Sequence, residues 1–207
     1  TFFAVLSVDP TYTLYGTLAE LHGAKYRTVA LDDDFQLPAG FNSERAKLCF
    51  LPRPNAPSGV PAPKEAVEAL CSAFAGVVVI DEAYAEFADD DCMDLPQRFD
   101  NVVVSRTYSK AFGLAGMRIG IGVARPDLIH EFFRSKDSYN LNVASQVAAT
   151  AAMNDYDYMV ECTARIRATR ARLTEALRQR GFRVPSSQTN FVLAFCPEGA
   201  SAPGVLQ

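Results

Sequence analysis

The sequence has no surplus of positive charge. Its 207 residues carry 20 Lys and Arg against 24 Asp and Glu, a net charge of −4. Nucleic acid and anionic membrane both attract cationic faces, so neither is expected as the main partner. No apolar run approaches the ~20 residues of a membrane span, and no secretory leader is visible. The five cysteines (Cys49, Cys71, Cys92, Cys162, Cys196) are scattered, with no CxxC pair. Disulfide and metal readings need closer spacing or a secreted context, so reduced thiols, no metal site and a cytoplasmic location are expected. Internal repeats and low-complexity segments are missing too. The glycine fingerprint of a nucleotide-binding α/β domain should follow the first strand, but Asp9-Pro10-Thr11-Tyr12 stands there instead. Nor is there an initiator Met, and the opening residues read as the inside of a strand, so the chain is expected to begin in mid-domain.

What remains is an ordinary globular balance, 49% apolar and 21% charged, enough for one or two domains with a sizeable core. Strand-like runs are expected at residues 2–8, 26–31, 47–51, 77–80, 102–105 and 117–123. Gly120 and Gly122 in the last of these are weak points or places of close approach. Helices are expected from Thr11–Tyr12 to about Leu21 with Leu14, Leu18 and Leu21 as its apolar positions, and from Pro61–Pro63 to about Phe74. Further helices are expected over residues 126–135, burying Leu128, Ile129, Phe132 and Phe133, and over 142–153. The longest should run over 159–180, with Met159, Ile166, Leu173 and Leu177 as its stripe. Gly23 and Gly181 stop helices. Asp32–Asp34 and Asp89–Asp91 read as solvated loops, and the arginines of the long helix as a solvated face. Residues 190–195 read as a strand and the Gly/Pro/Ala-rich end as frayed.

Strand–helix alternation with short, almost wholly apolar strands argues for an α/β layered domain around a mostly parallel sheet. Beyond about Tyr156 the pattern changes to one long helix and a strand, the start of a second, smaller unit.

Three of the strand-like runs deliver polar groups at their C-terminal ends, where open α/β sheets bind ligands. Residues 48–51 lead into Pro54-Asn55-Ala56-Pro57-Ser58-Gly59. Residues 77–80 lead into Asp81-Glu82-Ala83-Tyr84. Residues 102–105 lead into Arg106-Thr107-Tyr108-Ser109-Lys110-Ala111-Phe112-Gly113-Leu114-Ala115-Gly116-Met117-Arg118. A buried lysine at such an edge can lose its proton by desolvation and attack a carbonyl. Pyridoxal phosphate needs such a lysine, and an anionic partner that keeps its ring nitrogen protonated. Asp81 is the candidate partner; Glu82 points the other way if the strand continues. Thr107, Ser109 and Arg118 offer donors and charge for a phosphate. Tyr84 and Asn55 are available for the ring's 3-oxygen, and Tyr12 for the ring face. Each has a plain alternative: a helix cap, a packing tyrosine, a turn asparagine, a surface ion pair.

Together these blocks, with Pro10-Thr11-Tyr12 and Tyr139-Asn140-Leu141-Asn142, resemble the fold-type I pyridoxal-phosphate aminotransferases, most closely the histidinol-phosphate branch. The resemblance covers nearly the whole chain. It implies an aspartate-aminotransferase-like large domain, residues 1–155, with a mostly parallel sheet and helices on both faces, plus part of a small α+β domain, residues 156–207. It implies pyridoxal 5'-phosphate as cofactor, with Lys110 as Schiff-base lysine and proton shuttle. Asp81 would sit on the pyridine nitrogen, and Tyr84, with Asn55, on the 3-oxygen. Thr107, Ser109 and Arg118 would hold the phosphate, and Tyr12 would stack on the ring. The implied reaction moves an amino group from histidinol phosphate or an aromatic amino acid to 2-oxoglutarate, in a homodimer. A threonine-phosphate-type decarboxylase of the same fold, or a cofactor-binding regulator without turnover, would share these residues.

Three departures qualify the resemblance. Ala56 stands where the family has Asn before the Pro of its Asn-Pro-Thr-Gly turn, with Asn55 one place earlier. The family's phosphate-binding glycine segment would precede Tyr12, and its substrate-carboxylate arginine would follow Gln207; Arg183 is no obvious replacement. The chain is therefore expected to be a fragment with impaired cofactor binding and little or no transamination.

Overall fold

The computed structural model describes residues 3–197 and 199–200. Six strands form one sheet: β1 (Ala4–Asp9), β2 (Lys25–Ala30), β3 (Leu48–Pro52), β4 (Val77–Asp81), β5 (Val102–Thr107) and β6 (Gly120–Ala124), in the order β2-β1-β3-β4-β5-β6. The first five run parallel and β6 runs antiparallel to β5. Parallel neighbours need crossovers. Helix α1 (Leu14–Leu21) joins β1 to β2, α2 (Lys64–Ala73) joins β3 to β4, and the short α3 (Leu95–Arg98) lies between β4 and β5. This is the mostly parallel α/β layering expected from the alternation.

Period-two side chains bury one face of the sheet. Leu6 and Val8, Cys49 and Leu51, Val78 and Ile80, Val102 and Val104 point to the same side and pack with Val67, Leu70 and Phe74 of the α2 region and with Leu95. A smaller cluster of Val5, Ala19 and Ala24 lies under α1 with Tyr26, Leu48 and Phe50.

Several expected packings fall differently. Helix α1 buries Tyr15 and Ala19, whereas Leu14, Leu18 and Leu21 are exposed. The ring of Tyr15 stacks on Phe50 at 4.7 Å between centroids, and that contact sets the helix rotation. Helix α4 (Pro126–Ser135) forms as expected and partly buries Leu128 and Ile129, but Phe132 and Phe133 are exposed. Nothing among the described residues covers that face.

Helix α5 (Val143–Asn154) is capped by Asn142, whose side chain accepts from the Ser145 N–H at 2.8 Å. Helix α6 (Tyr156–Arg178) buries Met159 and Thr163, but Ile166 and Leu173 are exposed. Arg165, Arg172, Arg178 and Arg180 are exposed, as expected of a solvated face, but several of the helix's arginines are tied to other segments. Arg170 donates to the carbonyls of Phe87 (3.1 Å) and Thr189 (2.7 Å), and Arg167 bonds Asp89. Arg178 caps the Val184 carbonyl at 2.6 Å. The Asp89–Asp91 loop is likewise tied down by cations: Asp90 pairs with Arg53 and Asp91 with Arg106, each at 2.8 Å. Residues 190–195 form no strand. Among the described residues, Arg183 and Phe195 pair as an isolated antiparallel bridge. The end of the chain expected to be frayed lies largely outside the described residues.

Candidate active site

Because the first five strands run in one direction, their C-terminal ends share one edge of the sheet. In register, Pro52, Asp81, Ser105 and Gly122 lie side by side across β3, β4, β5 and β6. Strand β6 is antiparallel, so its N-terminal end joins that edge: Thr107 pairs with Gly120. Residues 108–119 therefore loop over the edge, and both ends of the Lys110 turn arrive there. Gly120 is required by close approach, since a Cβ on it would lie 2.6 Å from the Arg106 carbonyl oxygen. Gly122, the other expected weak point, has nothing within 4 Å of such a Cβ.

Asp81 terminates β4 half-buried. Its Oδ2 accepts from the Tyr15 hydroxyl at 2.6 Å, and its Oδ1 accepts from the Ala83 N–H at 3.2 Å and, at longer reach, from Ser105 Oγ at 3.5 Å. Glu82 points to the opposite side and is fully buried, as the strand period requires. Three residues past Asp81, the ring of Tyr84 lies 5.3 Å from Lys110 Nζ and packs edge-on against Phe191. Lys110 itself is exposed, not buried as the desolvation argument expects, because its turn loops over the open edge of the sheet.

Thr107, Ser109 and Arg118 come together. Thr107 Oγ1 accepts from the Ser109 N–H at 3.1 Å. Arg118 Nη1 reaches Ser109 Oγ at 3.4 Å while holding the Ala115 carbonyl at 2.9 Å. Arg118 has φ 51°, ψ 46°, a left-handed conformation that side-chain-bearing residues seldom adopt and that turns its guanidinium back toward Ser109. Two hydroxyls and a guanidinium converging on one turn suit an anionic group.

Tyr12 follows β1 at the same edge, half exposed, with its ring edge-on to Tyr15 at 5.6 Å. Asn55 is buried, and its amide has other work. Nδ2 donates to the Pro10 carbonyl (3.0 Å) and to Ser58 Oγ (3.1 Å), which uses both of its hydrogens. Asn55 thus laces the β3 loop to the loop carrying Tyr12. Its Oδ1 is buried without a partner, and an acceptor is not what an oxyanion needs.

Two residues to which the sequence reading gave no role support this edge. Tyr15 holds Asp81; its signal was the Tyr12–Tyr15 spacing of one helical turn, obscured by the leucines beside it. Arg106 pairs with Glu82 behind the edge; its signal was a cation directly after the apolar run 102–105.

The model of the family described as aminotransferase class I and II matches residues 3–202. This chain belongs to that family. Among similar proteins, the histidinol-phosphate aminotransferase of Geobacter sulfurreducens is 46% identical over 192 residues, covering 92% of this chain and 55% of that protein. The protein of the same name from Synechocystis is 45% identical over 190 residues, covering 92% and 54%. The crystal structure of histidinol-phosphate aminotransferase from Sinorhizobium meliloti in complex with pyridoxal-5'-phosphate superposes with a TM-score of 0.86 at 31% identity, over 95% of this chain and 56% of that one. The chain spans about half the length of the curated aminotransferases it matches.

Proposed function

We propose that this chain is the cofactor-binding core of a pyridoxal-phosphate-dependent aminotransferase. In this reading it moves an amino group between histidinol phosphate, or an aromatic amino acid, and 2-oxoglutarate. The observation that carries it is the meeting at one sheet edge of a lysine amine, a strand-end carboxylate, a phenol and a hydroxyl–guanidinium cluster. The residues fit the cofactor: Thr107, Ser109 and Arg118 form an anion cradle on one turn, and Asp81 lies one strand away. When bound, pyridoxal 5'-phosphate supplies an aldehyde for an amine and a ring that withdraws electrons from the attached carbon.

Each side chain then has a defined task. Lys110 Nζ would be the amine that holds the cofactor's aldehyde carbon, and the base that would move a proton at the substrate's α-carbon. Asp81 would face the ring nitrogen and hold a proton there. The Tyr84 phenol donates to the 3-oxygen, and Tyr12 covers the ring face. Asn55 serves indirectly, by fixing the Tyr12 loop.

The donor assignment is supported by the identity of 44–46% to proteins named for histidinol phosphate. Residues 1–155 are read as the large domain and 156–207 as part of the small one. The exposed Phe132, Phe133, Val143 and Val147 on α4 and α5 support a homodimer, since so much apolar surface on neighbouring helices favours a partner. The five cysteines are free, in keeping with a cytoplasmic location. No helix among the described residues is long and apolar enough to cross a membrane.

The test is the visible spectrum of the full-length protein mixed with pyridoxal phosphate. A protein-bound band near ~420 nm is expected for the wild type and not for Lys110→Ala. A band that persists unchanged in the variant would overturn the role of Lys110. A panel of amino donors then fixes the branch: no turnover of histidinol phosphate, with other amines active, would remove it from the reading.

A further inference from the structure

Asp81 is the charge that the proposed cofactor needs, and a carboxylate at a half-open sheet edge is free to rotate unless something holds it. The Tyr15 hydroxyl meets its Oδ2 at 2.6 Å, the shortest of the bonds the carboxylate receives. Tyr15 cannot turn away. It is buried, stacked face to face on Phe50 with the rings 4° from parallel, and flanked edge-on by Tyr12. It also starts the helix: its N–H bonds the Tyr12 carbonyl at 3.3 Å. One helical turn therefore carries both the ring that would cover the cofactor and the phenol that holds the carboxylate beneath it. Burial, and then the charge of Asp81, push the Tyr15 phenol far above its ordinary pKa. It stays a donor at every working pH.

We propose that Tyr15 is a positioning residue for Asp81: its fixed hydrogen bond orients the carboxylate toward the cofactor's ring nitrogen. This inference rests on the pyridoxal-phosphate reading above. Losing the phenol leaves the carboxylate looser. A carboxylate that is off its line supports less positive charge on the ring, and less positive charge there makes the nearby protonated nitrogen of Lys110 less acidic.

The experiment uses the full-length protein with pyridoxal phosphate and the variants Tyr15→Phe, Asp81→Asn and the double variant. Tyr15→Phe keeps the ring and its stack on Phe50, and the melting temperature of the cofactor-free protein should fall by only about 3–8 °C, the loss of one hydrogen bond. The expected result for Tyr15→Phe is cofactor affinity weaker by about 3- to 10-fold, because the loosened carboxylate must then be ordered on binding. The pH of the visible-band transition should move upward by about half a unit or more. In the Asp81→Asn background, Tyr15→Phe should add little to either readout. If wild type binds the cofactor and Tyr15→Phe matches it in affinity and transition pH, the positioning role fails while the functional reading stands. Equal effects of Tyr15→Phe with and without Asp81 would also overturn it, since the phenol would then act elsewhere. Failure of the wild type to bind pyridoxal phosphate overturns the functional reading itself.

Discussion

Arg106 and Glu82 form a buried ion pair directly behind the candidate site. Glu82 Oε2 accepts from Arg106 Nε at 3.0 Å and Nη2 at 2.8 Å, and Oε1 accepts from the Cys92 N–H at 2.6 Å. The pair joins the end of β4, one residue past Asp81, to β5, four residues before Lys110. Asp91 at 2.8 Å and Glu86 at 3.6 Å complete a ring of three carboxylates around one guanidinium. Burial works against the Arg106 charge, but Glu82, Asp91 and Glu86 outweigh it and hold the arginine protonated. Burial raises the Glu82 pKa, and Arg106 offsets part of that.

Removing Arg106 should therefore cost far more than a surface pair. Arg106→Met leaves Glu82 buried and unpaired, with an expected loss of about 3–5 kcal/mol, a drop in melting temperature on the order of 10 °C. Adding Glu82→Gln to that variant should restore part of the loss. Thermal melts of the four proteins of the cycle check this, and strict additivity would exclude the coupling.

Glu86 gives a pH dependence. Its side chain is buried and Oε2 has no partner; burial raises its pKa, with a backbone N–H and Arg106 opposing. A carboxyl that holds its proton more tightly when folded contributes stability that is full below the ordinary carboxylate range. That stability is lost as pH rises through the raised value. Glu86→Gln should thus be more stable than wild type at pH 8 by about 1 kcal/mol, and the advantage should vanish toward pH 4. Melting curves at the two pH values would contradict this if the difference were the same at both.

Gly120 and Gly122 should respond oppositely to alanine. In Gly120→Ala the new methyl meets the Arg106 carbonyl oxygen at 2.6 Å, backbone against backbone. Strand β6 must move off β5, at a cost of about 1–3 kcal/mol, and Arg118 moves with it, so cofactor affinity should fall as well. Gly122→Ala meets nothing within 4 Å and should leave both properties near wild type. Melting temperature and cofactor titration read the contrast directly.

Arg170 ties α6 to the rest of the chain through the carbonyls of Phe87 and Thr189. Arg170→Met leaves both acceptors without that donor, at an expected cost of about 2 kcal/mol. The segment around Thr189 and Phe191, which packs on Tyr84, should become the first site of limited proteolysis. An unchanged cleavage pattern would show that the latch is not needed.

Much of this protein was determined by sequence alone. Apolar runs of period two followed by helical runs specify a parallel α/β sheet, because each pattern can bury its face in only one way. Asp81, Lys110 and their neighbours could be picked out because each lies at or just past the end of a strand, and parallel strands end at one edge. The Tyr12–Tyr15 turn, the Asp89–Asp91 loop and the arginines of α6 were decided only by the tertiary structure. Leu14 and Tyr15 are both apolar enough to face a core, and it is Phe50, 35 residues on, that selects Tyr15. Each arginine of α6 could as well face water. Asp89 and the carbonyls of Phe87 and Thr189 lie beside two of them only once the chain has folded. Periodicity reports which faces can be buried; which partner arrives there depends on contacts too distant in sequence for any local pattern to encode.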